Sequence, residues 1–357
     1  MARFHNLKVT DIQKDTRHAV IITLQPEAED ADKFKFIQGQ YLTFKKAFEG
    51  EEIRRSYSIC SGVNDNKLRV GIKHVEGGWF SSWANSDLEV GDTLEAMPPN
   101  GRFYGALEPE LAKTYLAFAA GSGITPMISL IKTILEAEPL SKMTLVYANR
   151  SVNMIMFKEE LFDIKNTYME RFVMLNVLDQ SAEGIEILNG PLMAEQCDRL
   201  FTTWVDPSAA DMAFICGPEA MMLTVSDRLA AHGLAKENIK FELFKSTPTK
   251  KRRKVSAVDL ANQKTVKATI IIDGTQSQFD MPAKDVSILD AAMEQNMDIP
   301  YSCQAGVCST CSAKVVSGEV EMLVNHGLED YEVQRGLVLT CQAYPISDEV
   351  VLDYDQH

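Results

Sequence analysis

Cys303-Gln304-Ala305-Gly306-Val307-Cys308-Ser309-Thr310-Cys311, with a fourth thiol far downstream at Cys341, is the stretch around which this chain reads. The spacing is C-x4-C-x2-C followed by a long gap. Two irons with four terminal positions need four thiolates, and a 2Fe–2S cluster takes them at this spacing. The residues between the sulfurs are small, so the loop can wrap closely and aim backbone N–H groups at the cluster. Gly306 supplies a positive φ without steric cost. Cys341 follows the apolar run Leu337-Val338-Leu339, which puts it at the end of an expected buried strand. A structural zinc asks for two C-x2-C knuckles or added histidines, and a disulfide for an oxidising compartment. The chain has one knuckle and no nearby histidine pair, so Cys303, Cys308, Cys311 and Cys341 are read as iron ligands.

The rest of the chain must then deliver and accept single electrons. Its 357 residues are enough for two or three domains. The net charge of −14 argues against general nucleic-acid affinity and leaves a small substrate or a protein partner. No apolar run approaches the ~20 residues of a membrane span. Charges at Arg3, Lys8, Asp11 and Lys14 interrupt what a secretion signal requires. The cysteines outside the pattern, Cys60, Cys197 and Cys216, suit a reducing cytoplasm, the expected location.

Three textures follow one another. Over residues 1–108, short β-like runs such as 19–24, 40–44 and 68–72 alternate with turns at Asn64-Asp65-Asn66 and Pro98-Pro99-Asn100-Gly101. That predicts a small antiparallel β-barrel. Over 109–245, buried-strand runs at 115–120, 144–147, 172–175 and 213–216 alternate with helix-like stretches. They predict a doubly wound parallel sheet of the α/β class. A basic linker over 246–266, containing Lys250-Lys251-Arg252-Arg253-Lys254, leads to the cluster segment at 267–357. There a strand is expected at 267–272 and a helix at 287–296, an α+β (β-grasp) domain. The whole is multidomain.

Arg55-Ser56-Tyr57-Ser58 at the end of an expected barrel strand resembles the R-x-Y-S flavin signature of the ferredoxin–NADP reductase superfamily. The resemblance implies bound FAD. Arg55 would pair with the pyrophosphate through its forked donors, Tyr57 would lie on the flavin ring, and Ser58 would hydrogen-bond the hydride-accepting nitrogen; Ser56 belongs to the same element. Gly77-Gly78-Trp79-Phe80-Ser81 resembles the family's second phosphate contact, or else is an ordinary turn. Gly121-Ser122-Gly123-Ile124-Thr125-Pro126 follows a buried strand and opens a helix, where a parallel sheet meets a nucleotide pyrophosphate. Pro126 stands where the dinucleotide fingerprint has its third glycine, as in the superfamily's G-x-G-[IV]-T-P form. Cys216-Gly217-Pro218 resembles its nicotinamide-side turn, with Cys216 otherwise a small buried hydrophobe. Glu242 and Phe244 resemble its E-x-F element beside the flavin. On this reading Tyr57, Ser58, Thr125, Cys216 and Glu242 surround the reacting atoms.

Arg150, after the second parallel strand, can meet a 2′-phosphate, so NADPH is the expected donor. NADH is the alternative, because Leu178-Asp179-Gln180-Ser181 lacks the Ser-Arg pair of strongly NADPH-selective relatives. The order flavin, nicotinamide, cluster, together with Val338-Leu339-Thr340-Cys341-Gln342-Ala343, is most similar to the reductase components of phenylacetyl-coenzyme A epoxidases. That family implies electron flow from NAD(P)H through FAD and the cluster to a di-iron oxygenase. Steroid ring-hydroxylating reductases share the layout, an FMN-binding phthalate-dioxygenase type shares the order, and a redox sensor without net turnover is the alternative outside the enzymes.

Overall fold

The protein is described by a computed structural model covering residues 4–179, 185–244, 265–282 and 286–356. The basic run at 250–254 and residues 180–181 lie outside these. Contacts divide the chain into two compact units, one of them His5–Phe244 and the other carrying the cysteine-rich segment.

The first unit opens with six strands: β1 (His5–Thr16), β2 (Ala19–Pro26), β3 (Tyr41–Phe48), β4 (Glu51–Ser58), β5 (Leu68–Lys73) and β6 (Thr93–Ala96). They form one sheet in the order β4-β3-β6-β1-β2-β5. An antiparallel bridge between Ile59 and Val70 joins its edges into a barrel. The inward residues alternate as a half-wetted sheet requires: Leu7 and Val9 on β1 are fully buried and pack with Ile22, Leu42, Phe44 and Ile72. Helix α1 (Trp79–Ser86) caps one side, sinking Phe80 and Ala84 into that core.

The second half of this unit is a parallel sheet of β7 (Thr114–Ala120), β8 (Lys142–Asn149), β9 (Phe172–Leu178), β10 (Met212–Gly217) and β11 (Ile239–Leu243). Its order is β11-β10-β7-β8-β9, so the chain reverses direction between β7 and β10. In doubly wound sheets that crevice takes the ligand. Strands covered on both faces read as unbroken apolar runs, and Leu116 to Ala119 are all buried. Helix α2 (Ile124–Ala137) starts directly at the glycine loop after β7. Pro126 falls in its first turn, where an N–H would have no helical partner anyway. Helices α3 (Lys158–Thr167), α4 (Ala194–Thr203) and α5 (Glu219–Ala231) complete the layers.

In the second unit β12 (Thr265–Ile272), β13 (Thr275–Pro282), β14 (Ser312–Ser317), β16 (Leu337–Leu339) and β18 (Glu349–Asp353) form a mixed sheet ordered β13-β12-β18-β14-β16. β15 (Val320–Met322) and β17 (Ala343–Pro345) pair separately. β12 and β18 run parallel, and the remaining pairs are antiparallel. The helix Ile288–Glu294 is capped by Ser287, whose hydroxyl accepts the Asp290 N–H at 3.1 Å. It buries Ile288, Leu289 and Ala292 against Ile270, Leu339 and Leu352. This is the expected α+β arrangement.

Candidate functional site

The cysteine loop is built from backbone that most residues avoid. Gln304, Gly306 and Ser309 have φ of 52°, 75° and 55°, and these left-handed residues turn N–H groups inward. The N–H groups of Ala305 and Cys308 both donate to Cys303 Sγ at 3.4 Å. Cys308 Sγ accepts the Cys303 N–H at 3.5 Å and the Thr310 hydroxyl at 3.1 Å. A Cβ on Gly306 would lie 2.7 Å from the Val324 carbonyl oxygen, so no other residue fits there. A sulfhydryl hydrogen bond from Cys308 holds the Cys303 thiol below its ordinary value.

The four sulfurs fall into two hydrogen-bonded pairs, Cys303 with Cys308 and Cys311 with Cys341. Among the described residues no three His, Cys, Asp or Glu side chains converge as a site for a single ion. Four thiols arranged as two pairs suit a two-iron cluster, which takes two terminal ligands on each iron. The pairs differ in cover: Cys311 and Cys341 are 3% and 6% exposed, whereas Cys303 and Cys308 are half-buried. These residues would hold the cluster, with their N–H donors offsetting the charge of a reduced one.

In the first unit the expected flavin residues gather at the end of β4. The Tyr57 ring is half-buried and lies 5.5 Å from the Phe80 ring. Burial pushes its phenol well above the ordinary value. Arg55 donates to its neighbour's carbonyl, Arg54 O, at 2.7 Å, and its charge bears on Tyr57. Ser56 Oγ pairs with Thr43 Oγ1 at 2.9 Å. The Ser58 hydroxyl, 2% exposed, donates to Glu242 Oε2 at 3.0 Å, joining the barrel to β11. Burial pushes the Glu242 carboxyl up to about 7, against the opposing pull of Ser58. That side chain can hold a proton at neutral pH.

Gly77 has a φ of 72° and Gly78 is the N-cap of α1, so the expected turn continues into a helix. Ser81 turns back, donating to the Gly78 carbonyl at 3.1 Å and accepting the Val75 N–H at 3.1 Å. Trp79 is 42% exposed, but Phe80 is turned into the barrel core, so it can reach a phosphate only through its backbone. Phe244, just after β11, is 42% exposed.

The loop after β7 sits in the sheet's crevice. Gly121 has a φ of 52°. A Cβ on Gly123 would lie 2.1 Å from the Cys216 carbonyl oxygen, which makes glycine obligatory where the loop meets β10. Thr125 Oγ1 donates to Ser122 O at 3.0 Å and ties the loop to the start of α2. Thr125 and Pro126 are buried, as is Cys216, whose thiol burial holds neutral. Gly217 follows at the end of β10, and Pro218 precedes α5 as its N-cap. This approach of bare backbone at a helix start suits a pyrophosphate.

Lys73, at the end of β5, is absent from the motifs. Its Nζ lies 3.2 Å from where a Gly121 Cβ would be. Burial and the charge of Arg150 hold its ammonium below the ordinary value. Among the described residues the Lys73 side chain makes no hydrogen bond or ion pair, and the positive charge that bears on it is that of Arg150. In sequence it is only a lysine at a strand end, which ordinarily reads as solvated.

Three protein-family models match in chain order: an oxidoreductase FAD-binding domain over residues 6–104, an oxidoreductase NAD-binding domain over 118–227, and a 2Fe-2S iron-sulfur cluster binding domain over 270–345. The chain is 40% identical over 355 residues to a subunit of the 1,2-phenylacetyl-CoA epoxidase of Escherichia coli (strain K12), covering 99% of each chain. It is 31% identical over 357 residues to the ferredoxin reductase component of 3-ketosteroid-9-alpha-monooxygenase from Mycolicibacterium smegmatis, covering 98% of this chain and 97% of that one. Among solved structures it is similar to phthalate dioxygenase reductase, with a TM-score of 0.61, 25% identity and 98% of each chain covered. The chain belongs to the ferredoxin–NADP reductase superfamily, in the group carrying a C-terminal 2Fe–2S domain. It is an oxidoreductase with FAD-, NAD- and 2Fe–2S-binding domains. None of its described helices is long and apolar enough to cross a membrane.

Proposed function

We propose that this chain is the reductase component of a multicomponent oxygenase, taking a hydride from NADPH and delivering electrons singly to a di-iron partner of the phenylacetyl-CoA epoxidase kind. The observation that carries this is the 40% identity to a component of that epoxidase along 99% of both chains. Residues 1–108 would bind FAD, 109–245 the nicotinamide nucleotide, and 267–357 the cluster. When bound, FAD would supply two-electron hydride chemistry and the cluster one-electron chemistry, so the cofactors would provide the two-to-one conversion and the protein position and electrostatics.

Each residue then has a task. Arg55, Ser56, Gly78, Trp79 and Ser81 bind the FAD phosphates and adenosine, with Phe80 supporting them from beneath. Tyr57 covers the flavin ring. Gly121, Ser122, Gly123, Thr125 and Pro126 receive the dinucleotide pyrophosphate, Cys216, Gly217 and Pro218 bound the nicotinamide, and Phe244 lies beside the flavin. Ser58 would face the hydride-accepting nitrogen, and burial lets the Glu242 carboxyl bonded to it hold a proton against the pull of that hydroxyl. Lys73 and Arg150 favour NADPH, because two cations near the loop, one of them held below its ordinary pKa by burial, suit an extra phosphate.

A steroid ring-hydroxylating system is the second reading, favoured by the 31% identity to the ketosteroid reductase component. Reconstitution decides between them. The purified holoprotein is mixed with either oxygenase and its substrate, and sustained NADPH- or NADH-driven oxygen uptake is measured with product formation. Coupled turnover with the epoxidase and NADPH is expected. Turnover with the steroid oxygenase alone favours the second reading, and a single turnover with any acceptor replaces both with a sensor.

A further inference from the structure

The Gly121 carbonyl accepts the Tyr147 hydroxyl at 2.9 Å, beneath the loop assigned above to the dinucleotide. Tyr147 lies on β8, the strand beside β7, and is fully buried. Its hydroxyl oxygen also accepts the Met156 N–H at 3.2 Å. The next residue, Phe157, is buried with a φ of 56°, a conformation a bulky side chain seldom adopts. Its N–H donates to both carboxylate oxygens of Asp15 at 3.1 Å, and Asp15 lies on β1 of the barrel. A second contact runs alongside. A Cβ on Gly71 of barrel strand β5 would lie 2.8 Å from Thr125 Cγ2, 3.2 Å from Phe157 Cζ and 3.4 Å from Met156 Cε. The barrel therefore leans, without a side chain between, on the residues that hold the loop.

We propose that Tyr147 is a positioning residue for the dinucleotide loop, and that Met156, Phe157 and Asp15 extend it into a hydrogen-bonded strap tying that loop to the flavin barrel. The strap holds the Gly121 carbonyl turned down, which leaves the loop's upper side to the pyrophosphate. It also couples the height of the loop to the barrel on which the flavin rests. The strap has this role only if the loop is the dinucleotide site, as proposed above.

The test titrates NADP+, which binds without reducing the flavin, into the holoprotein and follows the flavin difference spectrum. FAD stoichiometry, cluster absorbance and melting temperature are recorded in parallel. Tyr147→Phe removes only the hydroxyl and should raise the NADP+ dissociation constant about five- to tenfold, the effect of one buried hydrogen bond. Asp15→Ala should weaken binding in the same direction, and Asp15→Asn, which keeps an acceptor oxygen for Phe157, should return the constant to within about twofold. An unchanged constant in both Tyr147→Phe and Asp15→Ala overturns the strap, even if their melting temperatures fall. Should Tyr147→Phe not fold, the Asp15 pair decides alone. Gly123→Ala separates the two levels. If it too leaves NADP+ binding intact, the loop itself is misassigned; if it alone weakens binding, only the strap falls.

Discussion

Glu242 holds its proton to a pH at which a solvated glutamate has long lost it. Its carboxyl rises from 4.5 to about 7 because burial penalises the charge. The folded state therefore binds this proton more tightly than the unfolded chain. Below about 4.5 both states are protonated and the burial carries no penalty; as pH climbs toward 7 the unfolded state ionises first and stability drains away. Glu242→Gln, which cannot ionise, should gain urea resistance relative to the parent between pH 5 and pH 8. Equal midpoint differences at the two pH values would contradict the raised carboxyl. Legibility at this scale was uneven. Ser58 and Glu242 stand far apart in sequence, and only the family resemblance joined them; the 3.0 Å hydrogen bond now does so directly. Lys73 could not be found, because its significance comes from Gly121 folding beneath it.

Among the elements, the strands declared themselves and the short helix did not. The runs at β7 and β10 are apolar on both faces because both faces are covered, so their short unbroken length between turn residues marks them rather than any period. Helix α1 hides behind Gly77-Gly78 and contains two tryptophans and three serines, poor intrinsic helix formers. It forms because Phe80 and Trp83 find Phe44, Phe48 and Tyr57, a tertiary reason no local rule contains. The cysteine loop is the opposite case. Its spacing pointed to four thiols as the expected ligands, while the left-handed backbone at Gln304 and Ser309 was invisible. Gly306→Ala should abolish cluster assembly, since its Cβ meets a backbone carbonyl and its φ of 75° costs roughly 1 kcal/mol or more besides. The iron-to-flavin ratio checks this: iron should fall toward zero while flavin stays near one per chain.

For the whole molecule, the separate cores set the behaviour. Val266, Ile288, Leu339 and Leu352 belong to one, and the barrel and parallel sheet to others within the first unit. Since each unit carries hydrophobic core of its own, heating should give two transitions, flavin fluorescence and cluster absorbance changing at different temperatures. Coincident curves would mean the units are thermodynamically one.

The unequal shelter of the sulfurs gives the molecule a weather side. Peroxide or oxygen arriving from water meets Cys303 and Cys308 before it can reach Cys311 and Cys341. Damage in air should therefore run inward. Mass spectrometry of partly bleached protein should find the first pair sulfenylated or bridged while the second is still reduced, so early injury stays within reach of a thiol reductant and an iron supply.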